Sequence, residues 1–172
     1  MRDVNSSNFG LLIAFVVPGF TTILGMSYLS PTISQWIGSS TDQAPTVGGF
    51  LYVTIGSVAA GMTVSAARWI IIDSVHAWTG VSQPRWRISK LAKAVSAYNL
   101  LIEIHYRHYQ FHSNMCIALV FVYVARKSSL GLWGEPIGLL DAGFFVLLLL
   151  FFVTSRDNLR KYYGRVEQLL SE

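Results

Sequence analysis

Charge is distributed along this chain in blocks, and the gaps between the blocks decide what it can become. Residues 4–41 hold no Asp, Glu, Lys or Arg, and neither do residues 43–67 or 108–125. A fourth stretch, 136–155, carries only Asp141 and has a middle, Phe144 to Val153, made almost wholly of Phe, Leu and Val. A helix needs ~20 consecutive apolar residues to cross a bilayer. Four spans follow, at about 9–29, 47–71, 108–125 and 136–155. Only 13% of the 172 residues are charged, about half the ~25% of soluble domains. Too few charges are present to clothe a soluble surface. The predicted class is an all-α membrane protein with four transmembrane helices, folded as a single polytopic unit over 1–172.

Cation placement orients the spans. With the N-terminus inside, the inner segments hold Arg2, Arg68, Arg85, Arg87, Lys90, Lys93, Arg107, Arg156, Arg160, Lys161 and Arg165, and the outer loops hold only Arg126 and Lys127. Both termini are therefore expected in the cytoplasm, as in a bacterial inner-membrane protein. Trp36, Trp78, Trp86 and Trp133 lie near the predicted boundaries, where an aromatic belt forms. The uncharged N-terminal segment has no Ala-x-Ala cleavage site and reads as a retained helix, kinked at Pro18. Residues 30–47 read as an external turn region, and Cys116, alone in the chain, has no intrachain disulfide partner.

Between the second and third spans lies a cytoplasmic helical extension, 78–107. From Ile88 the apolar residues recur at steps of three and four: Leu91, Val95, Tyr98, Ile102, then His105, Tyr109, His112, Cys116, Leu119 and Tyr123. No Pro or Gly interrupts 85–125, so one helix of ~58 Å is expected, extending from the bilayer into the cytoplasm. Such a heptad-like seam packs on a partner helix. The partner is either a second copy, giving a homo-oligomer, or the amphipathic tail 156–172, with Leu159, Tyr162, Val166 and Leu169 on one face and Ser155 or Asp157 as its cap. Ser57, Gly61 and Ser65, with Gly56 and Ala60, form a small-residue ladder suited to close helix approach.

Chemistry concentrates at the inner boundary. His76, His105, His108 and His112 gather there with Arg68, Asp73, Glu103 and Arg107. On an ideal helix His105, His108 and His112 share a ~60° stripe. Ionisable residues at this depth point to function. His105, His108, His112, Tyr109, Asp73 and His76 are the candidates for a pathway or gate, and Arg68, Glu103 and Arg107 for ion pairs. A metal site, with Asp73 or His76 completing a histidine shell, is a competing reading. Arg107-x4-His112 also fits the loose Arg-x4-6-His pattern of HEPN-type nucleases, although the two side chains lie ~140° apart on a helix. Asp141 is expected to face Arg126 or Lys127.

Arg85, Arg87, Lys90 and Lys93 around Trp86 suit lipid headgroups or an acidic cytoplasmic protein, and no nucleic-acid site is expected. No phosphate loop, Gly-x-Ser-x-Gly, His-Glu-x-x-His or Cys-x-x-Cys occurs, so neither an enzyme nor a bound cofactor is expected. In size and four-helix plan the chain resembles, in type, small inner-membrane components of bacterial defence or toxin systems. The expectation is an oligomeric pore-forming, channel-like or membrane-perturbing effector triggered from the cytoplasm. The alternatives are a non-conducting anchor or sensor that recruits a cytoplasmic protein, and a metal-dependent membrane enzyme.

Overall fold

The computed structural model describes residues 6–38, 47–84, 86, 88–92, 94–131 and 137–171. Among them every regular element is helical: α1 (Ser6–Ser27), α2 (Pro31–Ile37), α3 (Val47–Trp78), α4 (Ile88–Leu91), α5 (Val95–Leu101), a π-helical turn (Ile102–Tyr106), α6 (Arg107–Ser129) and α7 (Leu139–Ser171). Two helices, 47–78 and 139–170, are long and apolar enough to cross a membrane, and 12–27 forms a shorter apolar helix. Their outward faces are apolar as well. Phe50, Ile55, Met62, Trp69, Leu139, Val146 and Leu149 are all exposed. A surface of this kind suits lipid rather than water.

α3 buries one narrow stripe, Gly49, Val53, Ser57, Gly61, Val64, Arg68, Ile72 and His76. Its upper half lies on α1. The backbones approach so closely that a Cβ on Gly19 would overlap the Ser57 carbonyl oxygen, and one on Gly61 would overlap that of Phe15. The small-residue ladder thus serves packing within the chain. α6 is the most enclosed helix, with Tyr109, Ser113 to Cys116, Ala118 and Leu119 buried. It contacts α1 through Gly25, beside Phe121 and Val122. It contacts α7 through Phe111 on Phe151 and through Tyr123 on Phe144 and Phe145.

One contact ties α1 to α6. Proline at position 18 has no N–H, so the Ala14 carbonyl four residues earlier loses its helical donor. Asn114 Nδ2 donates to that carbonyl at 3.0 Å, with both residues buried. The α1 helix continues through Pro18.

Several expectations are corrected. The run 85–125 is not one helix. α4 ends at Leu91 and α5 begins at Val95, and Val95 to Ser129 is then continuous, ~52 Å at 1.5 Å per residue. The tail is not a separate capped helix but the second half of α7. Ser155 and Asp157 lie within that helix, and Leu170, rather than Leu169, is the buried residue of its last turn. Part of the supposed turn region forms α2, which begins at Pro31 and is closed by Gly38 at φ 73°, the arrangement of proline at a helix start and glycine past its end. Trp36 of α2 stacks on Tyr52 at 5.2 Å. The rest of that loop, Arg2 and Trp133 lie outside the described residues. The seam finds its partner within the chain: Leu91, Tyr98 and Ile102 pack with Tyr162, Val166 and Leu170 of α7. It therefore gives no argument for a second copy.

The Pro18–Asn114 relation predicts a compensated loss. Asn114→Leu should cost about 1–3 kcal/mol by stranding the Ala14 carbonyl. In a Pro18→Ala background, where position 18 regains its N–H, the same change should cost much less. Denaturant titration in micelles measures both, and simple additivity would sink the account.

Candidate functional site

Arg68, Asp73, Tyr109 and His76 meet where α3, α6 and α7 converge. Arg68, 5% exposed, faces Asp73 with Nη1 to Oδ1 at 3.7 Å. The Tyr109 hydroxyl donates to Asp73 Oδ1. The Arg68 guanidinium lies 5.1 Å from the centroid of the Tyr109 ring, in cation–π contact. Arg68, Asp73 and Tyr109 thus form one closed network joining α3 to α6. Its charge is compensated inside the chain, as a buried ion requires.

His76 lies one turn further along α3 and is fully buried. Its Nε2 is 3.0 Å from Ser155 Oγ, whose hydrogen goes to the Phe152 carbonyl at 2.8 Å. The His76 ring also rests on Phe152 at 5.1 Å. Beyond it, Arg156 donates from Nη2 to the Thr79 carbonyl at 2.6 Å and from Nη1 to the Thr79 hydroxyl. These bonds clasp α3 to α7 at one end.

The three-histidine stripe does not survive folding. His105 lies in the π turn, where the Arg107 N–H reaches back to the Ile102 carbonyl. That wider turn breaks the ~100° step on which the stripe depends. His105 is buried against α7, beside Asn158, Lys161 and Arg165. His108 is exposed. His112 donates from Nδ1 to the His108 carbonyl at 2.6 Å and packs on Phe151. Arg107 turns towards Gly10 of α1 and its Nη1 has no hydrogen-bond partner, so the Glu103–Arg107 pair is not made through that atom. Arg107 and His112 point to different helices, which removes the nuclease constellation. Among the described residues no three His, Cys, Asp or Glu side chains are placed to hold a metal ion. The metal-enzyme reading loses its ligand set. Asp141 does meet Lys127, at 2.9 Å, and its second oxygen accepts the Gly138 N–H at 2.8 Å.

A second feature lies next to this network. Tyr162 is buried at the centre of an aromatic cluster, with ring centroids of Tyr106 at 5.0 Å, Tyr163 at 5.8 Å and Trp86 at 6.1 Å. Its hydroxyl donates to that of Tyr98 at 3.0 Å. Trp86 was grouped with the basic loop on sequence, and here it packs into this cluster. Of its basic neighbours, Lys90 is half-buried, and Arg85, Arg87 and Lys93 lie outside the described residues.

No family model, curated protein or solved structure matches this chain. Its site is therefore read on geometry alone. Sequence reasoning missed the partners: Ser155 for His76, Asn114 for Ala14, and the convergence of Tyr98, Tyr106, Tyr162 and Tyr163. Only the second had a local signal, since a proline within a helix leaves a carbonyl needing a donor.

Two outcomes follow. Tyr109→Phe should cost about 1–3 kcal/mol, and Arg68→Met should also destabilise, by less than a fully buried pair would cost, because the Asp73 left behind is 31% exposed. Arg68→Lys should rescue little, since lysine lacks the flat guanidinium that stacks on Tyr109. A double-mutant cycle in micelles checks this, with zero coupling as the contrary result.

The second concerns pH. Burial holds the His105 imidazole below the usual 6.5, with Arg165 and Lys161 acting in the same direction, Asn158 opposing and His108 adding to the lowering. A depressed folded value means that the unfolded segment takes up its proton first as pH falls through 6.5. Packing of the π turn on α7 should be firmest above 6.5 and weaken below it. Amide exchange at 98–106 and 158–166, corrected for intrinsic rate, should show more opening at about pH 5.5 than at about pH 7.5. His105→Gln should flatten the difference, and an unchanged profile in that variant would refute it.

Proposed function

We propose that the chain is a multi-pass membrane protein of four spanning helices, α1, α3, α6 and the first half of α7. On this reading both termini and the aromatic cluster face the cytoplasm, the side favoured by the excess of Lys and Arg. It acts without catalysis, as a receiver: a ligand or partner engages the cytoplasmic head, and the engagement is passed to the bundle.

One observation carries this reading. α7 runs unbroken from Leu139 to Ser171, so a single rigid rod bears both the apolar span and the buried head residues Tyr162, Val166 and Leu170. The stretch from Val95 to Ser129 does the same on the neighbouring rod. A displacement at the head moves the span directly. The polar cluster favours a receiver over a preformed pathway, since Arg68, Asp73, Tyr109 and His76 are engaged with each other and with Ser155 inside one chain.

A second reading, an oligomer that gates or perturbs the membrane, has its own support. Arg68 Nε, His76 Nδ1, His105 Nε2, Arg107 Nη1 and Asn114 Oδ1 are buried without hydrogen-bond partners, each at a cost of about 1–3 kcal/mol. A rearrangement that satisfied them would be favoured. An apolar groove of about 720 Å3 also opens between α3 and α7 over α6.

The mass of the full chain in nanodiscs, read with vesicle permeability, separates the two. The receiver reading expects a monomer or dimer and tight vesicles. It also expects loss of cytoplasmic partner capture when Arg85, Arg87, Lys90 and Lys93 are reversed in charge. A ring of four or more with ion flux would replace it by the pore reading.

A further inference from the structure

The aromatic cluster encloses more than a core. Between Trp86, Tyr98, Tyr106, Tyr163, Arg107 and Gln110 lies a cavity of about 370 Å3, within the ~300–1,000 Å3 of small-ligand sites. Each of these six residues is half-buried, whereas Tyr162 behind them is 4% exposed. Its lining has an aromatic part and a polar part. In the aromatic part, Trp86 meets Tyr98 and Tyr163 edge-on, at 6.4 and 6.1 Å, and Trp86 Nε1 is buried without a hydrogen-bond partner. In the polar part, Arg107 and Gln110 sit in the first turn of α6 beside Tyr106. Arg107 is part of this lining, while its Nη1 is shielded beside Gly10 of α1. Among the described residues that line the cavity none is acidic.

This combination selects a ligand. The guanidinium of Arg107, a residue of the lining, calls for acceptor oxygens and prefers phosphate or carboxylate. A wall of Trp and Tyr faces without carboxylates favours an organic cation held by cation–π attraction, as in aromatic cages for quaternary ammonium. A bare cation would be repelled by Arg107, and a bare anion would leave the aromatic part unused. A phosphate ester carrying an ammonium group satisfies both parts. On the proposed topology Arg107 begins a membrane span, so the cavity stands at headgroup depth, where such groups are most concentrated.

We propose that this cavity binds the headgroup of a zwitterionic phospholipid, with the phosphate on Arg107 and the ammonium against Trp86, Tyr98 and Tyr163. The proposal rests on reading the head as the receiving end and names what it receives.

The test uses the full chain, delipidated in mild detergent, and calorimetric titration with phosphocholine, choline, inorganic phosphate and 3,3-dimethylbutyl phosphate, the isostere of phosphocholine that keeps the phosphate and lacks the ammonium charge. Phosphocholine should bind about tenfold more tightly than the isostere and more tightly than choline or phosphate. Arg107→Gln should reduce it to the level of choline, and helix content by circular dichroism confirms that this variant folds. A short-chain phosphatidylcholine should displace it competitively. If the soluble probe binds and the lipid does not compete, the lipid source is overturned in favour of a soluble phosphoamine. Equal binding of the isostere, or of inorganic phosphate, overturns the site itself, and because these are wild-type measurements the result does not depend on how variants fold. Binding without any change in accessibility of the spans would count against the receiver reading and leave the site standing.

Discussion

A carbonyl buried inside an apolar helical bundle needs a donor, and Pro18 takes one away. Asn114 restores it. Much follows from that bond, because it sets the height of α6 against α1. With α6 fixed at that height, Gly25 meets Phe121 and Val122, and Tyr109 reaches Asp73 on α3. The close crossing of α1 and α3 at Gly19 and Gly61 fixes the third helix in turn. A proline that reads as a kink in isolation is, in the bundle, the reason for a buried asparagine.

The inner-boundary cluster shows how ambiguous ionisable residues near a membrane are. On sequence they suggest a conduit. In the structure Arg68, Asp73 and Tyr109 close on themselves, and His76 and Ser155 fasten α3 to α7. Among the described residues, the buried polar atoms without a hydrogen-bond partner lie on α3, at Trp86, in the π turn, on α6 and at Asp141 of α7. What stands exposed to a ligand is the adjoining aromatic cavity, built from loop, α5, α6 and α7 together.

The helices themselves were legible, because long uncharged runs admit few other structures. The lower edges of α3 and α7 were not. Both continue past Arg68 and Arg156, since their polar residues are satisfied by one another and helix continuity depends on backbone bonds rather than on apolarity. Leu91, Tyr98 and Ile102 announced a seam, yet periodicity alone does not say whether a seam closes on its own chain. The histidine stripe failed for a local reason: angular arithmetic assumes uniform α-helical steps, and the π turn at 102–106 violates that assumption. Tyr98, Tyr106, Tyr162 and Tyr163 come from segments more than fifty residues apart, so no window along the sequence could have grouped them.

That π turn has a consequence for how the molecule can vary. It inserts one residue into an otherwise continuous rod and so rotates everything before it relative to everything after it. The faces of α5 and α6 are thereby set independently: α5 presents Tyr98 to α7 while α6 keeps Tyr109 and Asn114 turned into the bundle. Removing a single residue there would swing Tyr98 away by about one α-helical step of ~100° and leave the spans untouched. The segment that carries Tyr98 can thus be re-aimed, or lost, by the shortest possible change in chain length, with the rest of the helical bundle inherited intact.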